Sequence, residues 1–497
     1  MRVWISTVGS SPLAVFNTLW MAIVKEGYVP DKVYLLWNYK VEKNKEIIKN
    51  YIKSLNESYN FNIDVDESYK VSEDDFKDFS NALKEIIVKE KEKGNEIAID
   101  MTPGRKFMSA LSMFAGIEGV SDGKNKYKCD RVYYLHLKDM GYINYPLFLI
   151  PFSIQELHEF ISELSGSKKD DRKVLKKEEL EDLIINRREI LAILNQYFLF
   201  GKSNFEIKVE NQKFATISLY ENDNKAKVEI NKDLKLSYYV GDYESISTIL
   251  NASGLKEVKF IVYGDEKEEF SEREFYEWLF KKLKEKETYY ITFDTNALIN
   301  QIPRKIIDYL DKQREKISPN FAISQCVINE LTNERGKIKD CEDRDFINQP
   351  SSVDRIFKLG LSQIKLLIGR NAVIIPGKGV WDNNIKESFV KFSDEHKGKL
   401  LILTSDKNFT HNLQYLPDII PIYVDFGELK KLVKWEEIRD LIYISSIVFG
   451  KIYIKPISQV LGIWRGKNPI DWDEEKVLFR KINVMCRQAA NVLRNIH

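Results

Sequence analysis

The chain lacks an excess of charge of either sign, because 76 Lys and Arg residues stand against 75 Asp and Glu residues among 497 in total. A uniformly basic surface for nucleic acid is therefore excluded, and any such contact must use local patches. Only four cysteines are present, and no two of them form a Cys-x-x-Cys pair. This pattern excludes a disulfide framework and a cysteine zinc site, and it predicts reduced thiols in a cytoplasmic protein.

Internal repeats and low-complexity tracts are also absent from the sequence. Residues 3–24 carry no charge, but Gly9, Ser10, Ser11 and Pro12 break them into a strand, a turn and a helix. No small-residue cleavage site follows, so the pattern argues against a targeting segment and predicts no membrane partner. The length is typical of roughly two to four domains with full-sized cores.

Residues 1–150 alternate between apolar strands and amphipathic helices. Strands are predicted at residues 2–7, 33–37, 96–100 and 131–137, and helices at residues 12–25, 43–55, 74–92 and 105–116. Strands this apolar predict a parallel sheet whose two faces are covered by helices. In such sheets, ligands bind beyond the carboxyl ends of the strands.

The rest of the chain divides into a middle segment and a second α/β unit. A charged stretch at residues 165–173 predicts the first boundary, a connector or dimer helix is expected at residues 176–198, and β-hairpins at residues 204–240. The second α/β unit has predicted strands at residues 290–293, 321–323, 372–375, 400–404 and 420–424. The last stretch, residues 428–497, is expected to be mainly helical.

Two turns of the N-terminal unit are of a kind that binds phosphate. They are Ser6-Thr7-Val8-Gly9-Ser10-Ser11-Pro12 and Asp100-Met101-Thr102-Pro103-Gly104-Arg105-Lys106, and each follows a predicted strand and opens a helix. Glycine permits close approach of the backbone to a ligand, and the positive end of the helix dipole favours an anion. Arg105 and Lys106 oppose that dipole, which favours a bound anion as their counter-charge. Each turn taken alone is also an ordinary helix cap.

Together with Val132-Tyr133-Tyr134-Leu135 and Pro146-Leu147-Phe148-Leu149-Ile150-Pro151, these turns resemble the ligand-binding motifs of the CRISPR-associated Rossmann fold (CARF) domain. The resemblance implies a homodimer that binds a cyclic oligoadenylate across its two-fold axis, and it is most similar to sensors of cyclic tetra-adenylate. It implies that phosphate and ribose contact Thr7, Gly9, Ser10 and Ser11, and that the ring contacts Thr102, Gly104, Arg105 and Lys106. Some members also cleave their activator, which these residues leave open.

Four carboxylates of the C-terminal unit lie where predicted strands end or helices begin: Asp294, Glu330, Asp382 and Asp406. Acids that converge repel one another and hold protons more tightly unless a cation neutralises them. Hard oxygen ligands select Mg²⁺ or Mn²⁺ rather than zinc, and such ions can activate water for phosphodiester hydrolysis. Each acid taken alone is equally well explained as a helix cap.

The segments Phe293-Asp294-Thr295-Asn296-Ala297-Leu298-Ile299, Val327-Ile328-Asn329-Glu330-Leu331 and Leu403-Thr404-Ser405-Asp406-Lys407-Asn408-Phe409 resemble the motifs of PIN-domain ribonucleases. The resemblance implies that Asp294, Glu330 and Asp406 bind metal and that the hydroxyl of Thr404 supports Asp406. Asp382 is the preferred remaining acid, since Ile385 stands where the family has an apolar helix residue, and Asp394 is the alternative.

Two further segments exceed the family pattern. Residues 333–348 are rich in charge and are interpreted either as a solvated insertion or as an RNA-contacting or gating loop. The tail contains Trp464-Arg465-Gly466-Lys467, which suits either a packed tryptophan or a clamp on single strands.

The predicted fold class is α/β multidomain. The expected parts are a Rossmann-like CARF domain at residues 1–164, a mixed α/β connector at residues 165–288, a PIN-like nuclease domain at residues 289–427 and a helical extension at residues 428–497. The predicted function is a homodimeric, metal-dependent endoribonuclease of type III CRISPR defence, activated by cyclic oligoadenylate and acting on single-stranded RNA.

Three alternatives remain open. One is a different ribonuclease class, since Arg131 and His136 match its arginine–histidine spacing, although they fall on a predicted strand. The second is a ligand-sensing transcription regulator, for which the sequence offers no evident helix-turn-helix. The third is an enzyme that only degrades its own cyclic activator, with the C-terminal unit as an inert scaffold.

Overall fold

The computed structural model describes residues 1–166, 179–236, 240–241, 243–313, 315–333, 352–463 and 475–496. Most of the charged stretches 165–173 and 333–348, and all of Trp464-Arg465-Gly466-Lys467, lie outside these residues. The α/β multidomain class is confirmed, because three large sheets are combined with helices along the described chain. Among the described helices, none has an apolar stretch long enough to cross a bilayer.

The N-terminal unit is a six-stranded sheet with helices on both faces. Its strands run in the order β3-β2-β1-β4-β7-β8, and every neighbouring pair is parallel except β7 with β8. The elements are β1 (Arg2–Thr7), α1 (Pro12–Glu26), β2 (Lys32–Leu36), α2 (Glu42–Tyr59), β3 (Asp64–Asp66), α3 (Phe76–Glu92), β4 (Glu96–Asp100), α4 (Lys106–Ile117), the short pair β5 (Val120–Ser121) and β6 (Lys126–Tyr127), β7 (Arg131–Leu137), β8 (Gln155–Glu159) and α5 (Phe160–Ser165).

The predicted strands and helices of residues 1–150 are confirmed, with boundaries that shift by a few residues. Strand β1 is buried along almost its whole length because helices cover both faces of the sheet. Pro12 occupies the first turn of α1, and Gly27 ends this helix in the left-handed conformation at φ 65°. These local signals position the turn at residues 8–11 at the carboxyl end of β1.

The middle of the chain forms an antiparallel sheet together with the C-terminal segment. Its order is β12-β11-β10-β20-β21-β22-β9. The elements of the middle segment are β9 (Leu180–Asn186), α6 (Ile190–Leu199), β10 (Asn204–Val209), β11 (Gln212–Leu219), β12 (Ala226–Ile230) and α7 (Tyr243–Ala252). The C-terminal segment contributes α15 (Trp435–Val448), β20 (Lys451–Lys455), β21 (Ser458–Gly462), β22 (Lys476–Asn483) and α16 (Val484–Asn495).

Two secondary-structure predictions are corrected here. The helix expected at residues 176–198 begins only at Ile190, because Leu180–Asn186 is a strand that pairs with β22 and has Leu183 and Ile185 buried. The tail expected to be helical contains three strands that complete this sheet. In both places the partner strand comes from a distant part of the chain, and that pairing overrides local helix propensity.

The third sheet carries the predicted acidic residues. Its order is β14-β13-β19-β18-β15-β16-β17, with parallel pairing from β19 to β17 and an antiparallel hairpin, β13 and β14, added at one side. The elements are β13 (Lys256–Tyr263), β14 (Lys267–Ser271), α8 (Glu272–Lys282), β15 (Tyr289–Phe293), α9 (Thr295–Ile299), α10 (Ile302–Lys312), β16 (Asn320–Ser324), α11 (Gln325–Asn333), α12 (Ser352–Ile368), β17 (Val373–Ile375), α13 (Asp382–Glu395), β18 (Lys399–Thr404), α14 (Lys407–Leu413) and β19 (Ile419–Leu429). Residues 256–282, expected in the connector, thus belong to this unit.

A buried ionic cluster joins the middle, third-sheet and C-terminal parts of the chain. The Arg187 side chain is 3% exposed; its Nε donates to Asp440 at 2.8 Å, and its Nη1 donates to Gln301 at 2.8 Å and to Glu475 at 3.1 Å. Arg304 donates to the same Glu475 at 2.7 Å. These groups compensate one another's charge in a place where water is largely excluded.

We expect Arg187→Ala to lower the free energy of unfolding by about 3–5 kcal/mol, because it removes one of the two arginines that pair with each of the buried carboxylates of Asp440 and Glu475. Urea denaturation followed by circular dichroism measures the change. Lys227→Ala is the control, since Lys227 and Glu229 form an exposed pair whose loss should not shift the midpoint. Equal midpoints for Arg187→Ala and the wild type would contradict a supporting role for this cluster.

Candidate functional site

The two predicted phosphate-binding turns lie side by side at the carboxyl ends of β1 and β4. They line one cavity of about 690 Å³, a size typical of small-ligand sites. From the predicted set, the lining contains Gly9, Ser10, Ser11, Thr102, Gly104 and Arg105. Residues 1–150 therefore bring most of these predicted contacts to one cleft.

Direct backbone packing holds the two turns together. A Cβ added to Gly9 would lie 3.1 Å from the backbone nitrogen of Gly104, and one added to Gly104 would lie 3.1 Å from the methyl group of Thr7. Gly104 also has φ +98°, a conformation that residues with a side chain rarely adopt. Glycine at both positions is thus required by the contact between the turns as well as suited to a ligand.

A buried carboxylate, that of Asp100, holds the turn at residues 101–105 through hydrogen bonds. Asp100 is 1% exposed; it accepts from the Ser6 hydroxyl at 3.0 Å and from the backbone N–H of Thr102 at 2.9 Å. The Thr102 oxygen also accepts from the N–H of Leu135 at 2.9 Å, so this side chain points into the fold. Burial, the dominant cause, raises the pKa of Asp100 to about 7.

Three residues at this cleft were missed by sequence reasoning. The Asn44 amide donates to the carbonyl oxygens of Gly9 and Ser10 at 2.9 and 3.0 Å, which fixes the first turn. Glu73 lines the cavity and pairs with Lys40, and also with Arg105 at 3.2 Å. No local signal predicts these contacts, since the two partners of each contact lie in loops or helices that follow different strands.

Two predicted ligand contacts lie elsewhere. Thr7 is buried beneath Gly104 and does not line the cavity. Lys106 is exposed at the first position of α4, and its ammonium group has no hydrogen bond or ion pair with any described residue. Lys106 is therefore a free cation beside the cleft, whereas Arg105 already has acidic partners.

The predicted acids of the third sheet gather at the carboxyl ends of β15 and β18. Asp294 is 5% exposed and directly follows β15, and Asp406 follows β18 as the N-cap of α14. The Thr404 hydroxyl connects them, because it donates to Oδ2 of Asp294 and accepts from the backbone N–H of Asp406 at 2.9 Å. Thr404 thus supports both acids and not Asp406 alone.

The pKa of Asp294 is set by its burial and by the charges and hydrogen-bond donors around it. Burial is the main cause that raises the pKa of Asp294 to about 7, and the negative charges of Glu330 and Asp406 raise it further. Hydrogen bonds from Thr404 and from the backbone N–H of Ala297 act in the opposite direction. Burial and neighbouring negative charges disfavour the ionised form of Asp294, and a nearby cation would stabilise that form.

Glu330 and Asp382 complete the predicted set. Glu330 accepts a hydrogen bond from the hydroxyl of Thr295, a residue that sequence reasoning did not select although it adjoins Asp294. Asp382 begins α13, which packs on β18, the strand that precedes Asp406, and its pKa is raised by burial and by the charge of Asp406. Asp394 is on the same helix, α13, but about 18 Å further along it by helical rise. The geometry favours Asp382 over Asp394.

The donor chemistry of this acidic site suits a hard divalent cation. Its oxygens are carboxylates at one sheet edge, and the shared negative charge needs compensation. In the described part of the chain, however, no three Asp, Glu, His or Cys side chains converge closely enough to form a finished metal-ion site. Because these side chains do not yet converge, binding a cation requires side-chain rearrangement among the acids, while Thr404 and the backbone N–H of Ala297 hold Asp294 in place.

Replacing the anchor of the second turn, Asp100→Asn, should change stability in a pH-dependent way. Because the folded pKa is about 7 and the ordinary value is near 4, the stability linked to protonated Asp100 is complete below about pH 4 and is lost as the pH rises through about 7. The melting temperature of the variant relative to wild type should therefore rise between about pH 4 and about pH 7 and level off above that. A difference that is constant over this range would contradict the raised pKa.

No family model matches the chain, and no curated protein matches it significantly. Among solved structures, it is similar to Enterococcus italicus Csm6 bound to cyclic hexa-2'-fluoro-hexa-dAMP, at 20% identity over 26% of this chain and 35% of that one, with a TM-score of 0.21. It is also similar to a type III CRISPR defence DNA nuclease activated by cyclic oligoadenylate, at 7% identity over 84% of this chain and 64% of that one, with a TM-score of 0.20. The chain thus spans less than two thirds of either protein, and similarities this low indicate nothing about its activity.

Proposed function

We propose that this chain is a metal-dependent endoribonuclease of type III CRISPR defence that is activated by a cyclic oligoadenylate. In this proposal the N-terminal unit is a CARF domain that senses cyclic tetra-adenylate as a homodimer, and the third-sheet unit is a PIN-like nuclease that cleaves single-stranded RNA. Mg²⁺ or Mn²⁺ is the cofactor.

The observation that carries the proposal is the link through Thr404. One buried hydroxyl contacts Asp294 and the backbone of Asp406, two residues from separate strands whose sequence segments resemble PIN motifs. Glu330 adds its charge to the same place. A helix cap needs only one acid, so a capping role does not account for this convergence.

The residues have separable tasks in hydrolysis. When bound, a divalent ion supplies an activated water and neutralises charge on the phosphodiester. Asp294, Glu330, Asp382 and Asp406 would hold the ion. Thr404 and Thr295 orient Asp294 and Glu330 by donating hydrogen bonds to them, as outer partners do in metal sites.

A chain of contacts connects the ligand cleft with the acidic site. Ile143 lines the cleft, and its neighbour Tyr142 donates to Glu436 on α15 and accepts from Asn224 at 2.6 Å. The same helix carries Asp440, which binds Arg187. Arg187 in turn donates to Gln301, just beyond α9, whose N-cap is Asp294. We infer that activator binding acts on the nuclease unit through these contacts.

The first experiment is cleavage of labelled single-stranded RNA with Mn²⁺ or Mg²⁺, with and without cyclic tetra- or hexa-adenylate. Activation by one ring that a chelator abolishes would support sensor, effector and coupling together. Breakdown of the activator without RNA cleavage would favour the enzyme that only degrades its activator. Binding without any turnover would favour the regulator.

Two variants should separate sensing from catalysis. Asp294→Asn should reduce RNA cleavage by more than ~100-fold, beyond the range for outer metal-site partners, and leave cyclic tetra-adenylate binding unchanged. Lys106→Ala should raise the activator concentration for half-maximal cleavage by ~10-fold, the effect of one charged hydrogen bond, and leave the maximal rate unchanged.

The controls for this pair are Asp311→Asn and Lys84→Ala. Asp311 is a half-exposed acid of the third-sheet unit, and Lys84 is an exposed lysine on α3. Both should behave as wild type in cleavage and in activator binding. Parallel loss of both functions in Asp294→Asn or in Lys106→Ala would contradict the division of roles.

Tyr142→Phe tests the proposed route of activation, because it removes the hydroxyl that joins Glu436 and Asn224 and keeps the ring. We expect the ratio of cleavage with activator to cleavage without it to fall by ~5-fold, the effect of about one hydrogen bond. Binding of cyclic tetra-adenylate, measured by calorimetry, should stay unchanged. An unaltered activation ratio would contradict this route.

A further inference from the structure

One tryptophan of the third-sheet unit is exposed beside the acidic site. Trp381 is 75% exposed, whereas Trp4, Trp20 and Trp435 are fully buried. Its side chain has no ring contact, cation contact or hydrogen bond with any described residue. Tryptophan has a large apolar surface that folding normally buries, so an uncovered indole ring is available for a ligand.

The backbone that carries this ring is firmly held. The carbonyl oxygen of Trp381 accepts from the N–H groups of Asn384 at 2.8 Å and Ile385 at 3.0 Å, which begins α13. A Cβ on Gly377 would lie 2.5 Å from the sulfur of Cys326, and one on Gly379 would lie 2.7 Å from the Asn384 side chain. The preceding loop is thus packed tightly against α11 and α13, and it holds the backbone of Trp381 at a fixed place.

That place is the rim of the acidic site. Strands β15, β16, β17 and β18 run parallel, so the loop that follows β17 and ends at Trp381 lies at the same sheet edge as Asp406, and Trp381 directly precedes Asp382. Lys378 and Lys407 flank the two acids in sequence, are exposed, and have no ion pair with any described residue. An aromatic ring combined with free cations is the pattern by which proteins hold single-stranded nucleic acid, with bases stacked on the ring and phosphates beside the cations.

We propose that Trp381 is a substrate-binding residue that stacks on an unpaired base of a single-stranded nucleic acid and places the adjoining phosphodiester at the acids. This inference rests on the proposed nuclease function and adds its base contact. It also gives a reason for selectivity, because a base within a duplex is already stacked and cannot lie on the ring.

The test compares wild type, Trp381→Ala and Trp381→Phe in binding fluorescein-labelled single-stranded oligouridylate, its abasic counterpart and duplex RNA. Anisotropy is measured with Ca²⁺ and cyclic tetra-adenylate present. Trp381→Ala should weaken binding of the base-bearing strand by ~10-fold, within the range for one stacked base. It should change binding of the abasic strand by less than ~2-fold, and Trp381→Phe should retain most of the affinity. In cleavage with Mn²⁺, the loss should fall on KM rather than on kcat.

Tyr243→Ala is the matched control, since Tyr243 is 79% exposed but lies on α7 of the middle segment. Equal losses on the base-bearing and abasic strands, or wild-type affinity in Trp381→Ala, would overturn the inference and leave the nuclease proposal standing. Wild-type protein that neither binds nor cleaves single strands would overturn the nuclease proposal and this inference together.

Discussion

The arrangement of the units depends on the compensation of charges around Arg187. A guanidinium buried to this extent costs several kcal/mol in lost hydration, so it requires carboxylates held at fixed positions. Its partners Asp440, Glu475 and Gln301 come from the C-terminal segment and the third-sheet unit. Because the three parts share one set of charges, none can move away without leaving an uncompensated ion. The covalent connections between the three parts would not by themselves fix their relative positions.

The antiparallel sheet strengthens the same constraint. In the antiparallel sheet, β10 and β9 of the middle segment pair with β20 and β22, which follow the third-sheet unit in the chain. The third-sheet unit is therefore an insertion between two halves of one sheet, and its orientation is fixed at both ends. The core of this sheet is continuous with α1 and α2 of the N-terminal unit, since α16 packs on α2. A shift at the ligand cleft thus has rigid elements through which to reach the acids.

Local patterns predicted the two turns and the acids, because strand, turn and helix signals there lie within a few residues of one another. Pro12 begins a helix, Gly104 takes a positive φ in a turn, and Asp406 caps a helix, and each role is indicated by the residues next to it. The pattern could not predict that Leu180–Asn186 is a strand, since its partner β22 lies far along the chain. Glu73 beside Arg105 and Thr295 beside Glu330 were missed for the same reason. Long-range pairing decides these contacts, and one sequence does not encode it locally.

Asp100 and Asp294 show how one local solution serves two purposes. Both follow a parallel strand, both are buried, and both accept a hydrogen bond from a hydroxyl on a neighbouring strand, Ser6 or Thr404. Burial raises the pKa of each to about 7. The other causes differ, because only hydrogen-bond donors surround Asp100, whereas Glu330 and Asp406 add negative charge at Asp294. An acid with donors alone is satisfied by its fold, whereas an acid among acids either keeps its proton or is stabilised by a cation. This difference assigns an anchoring role to Asp100 and makes Asp294 the candidate metal ligand.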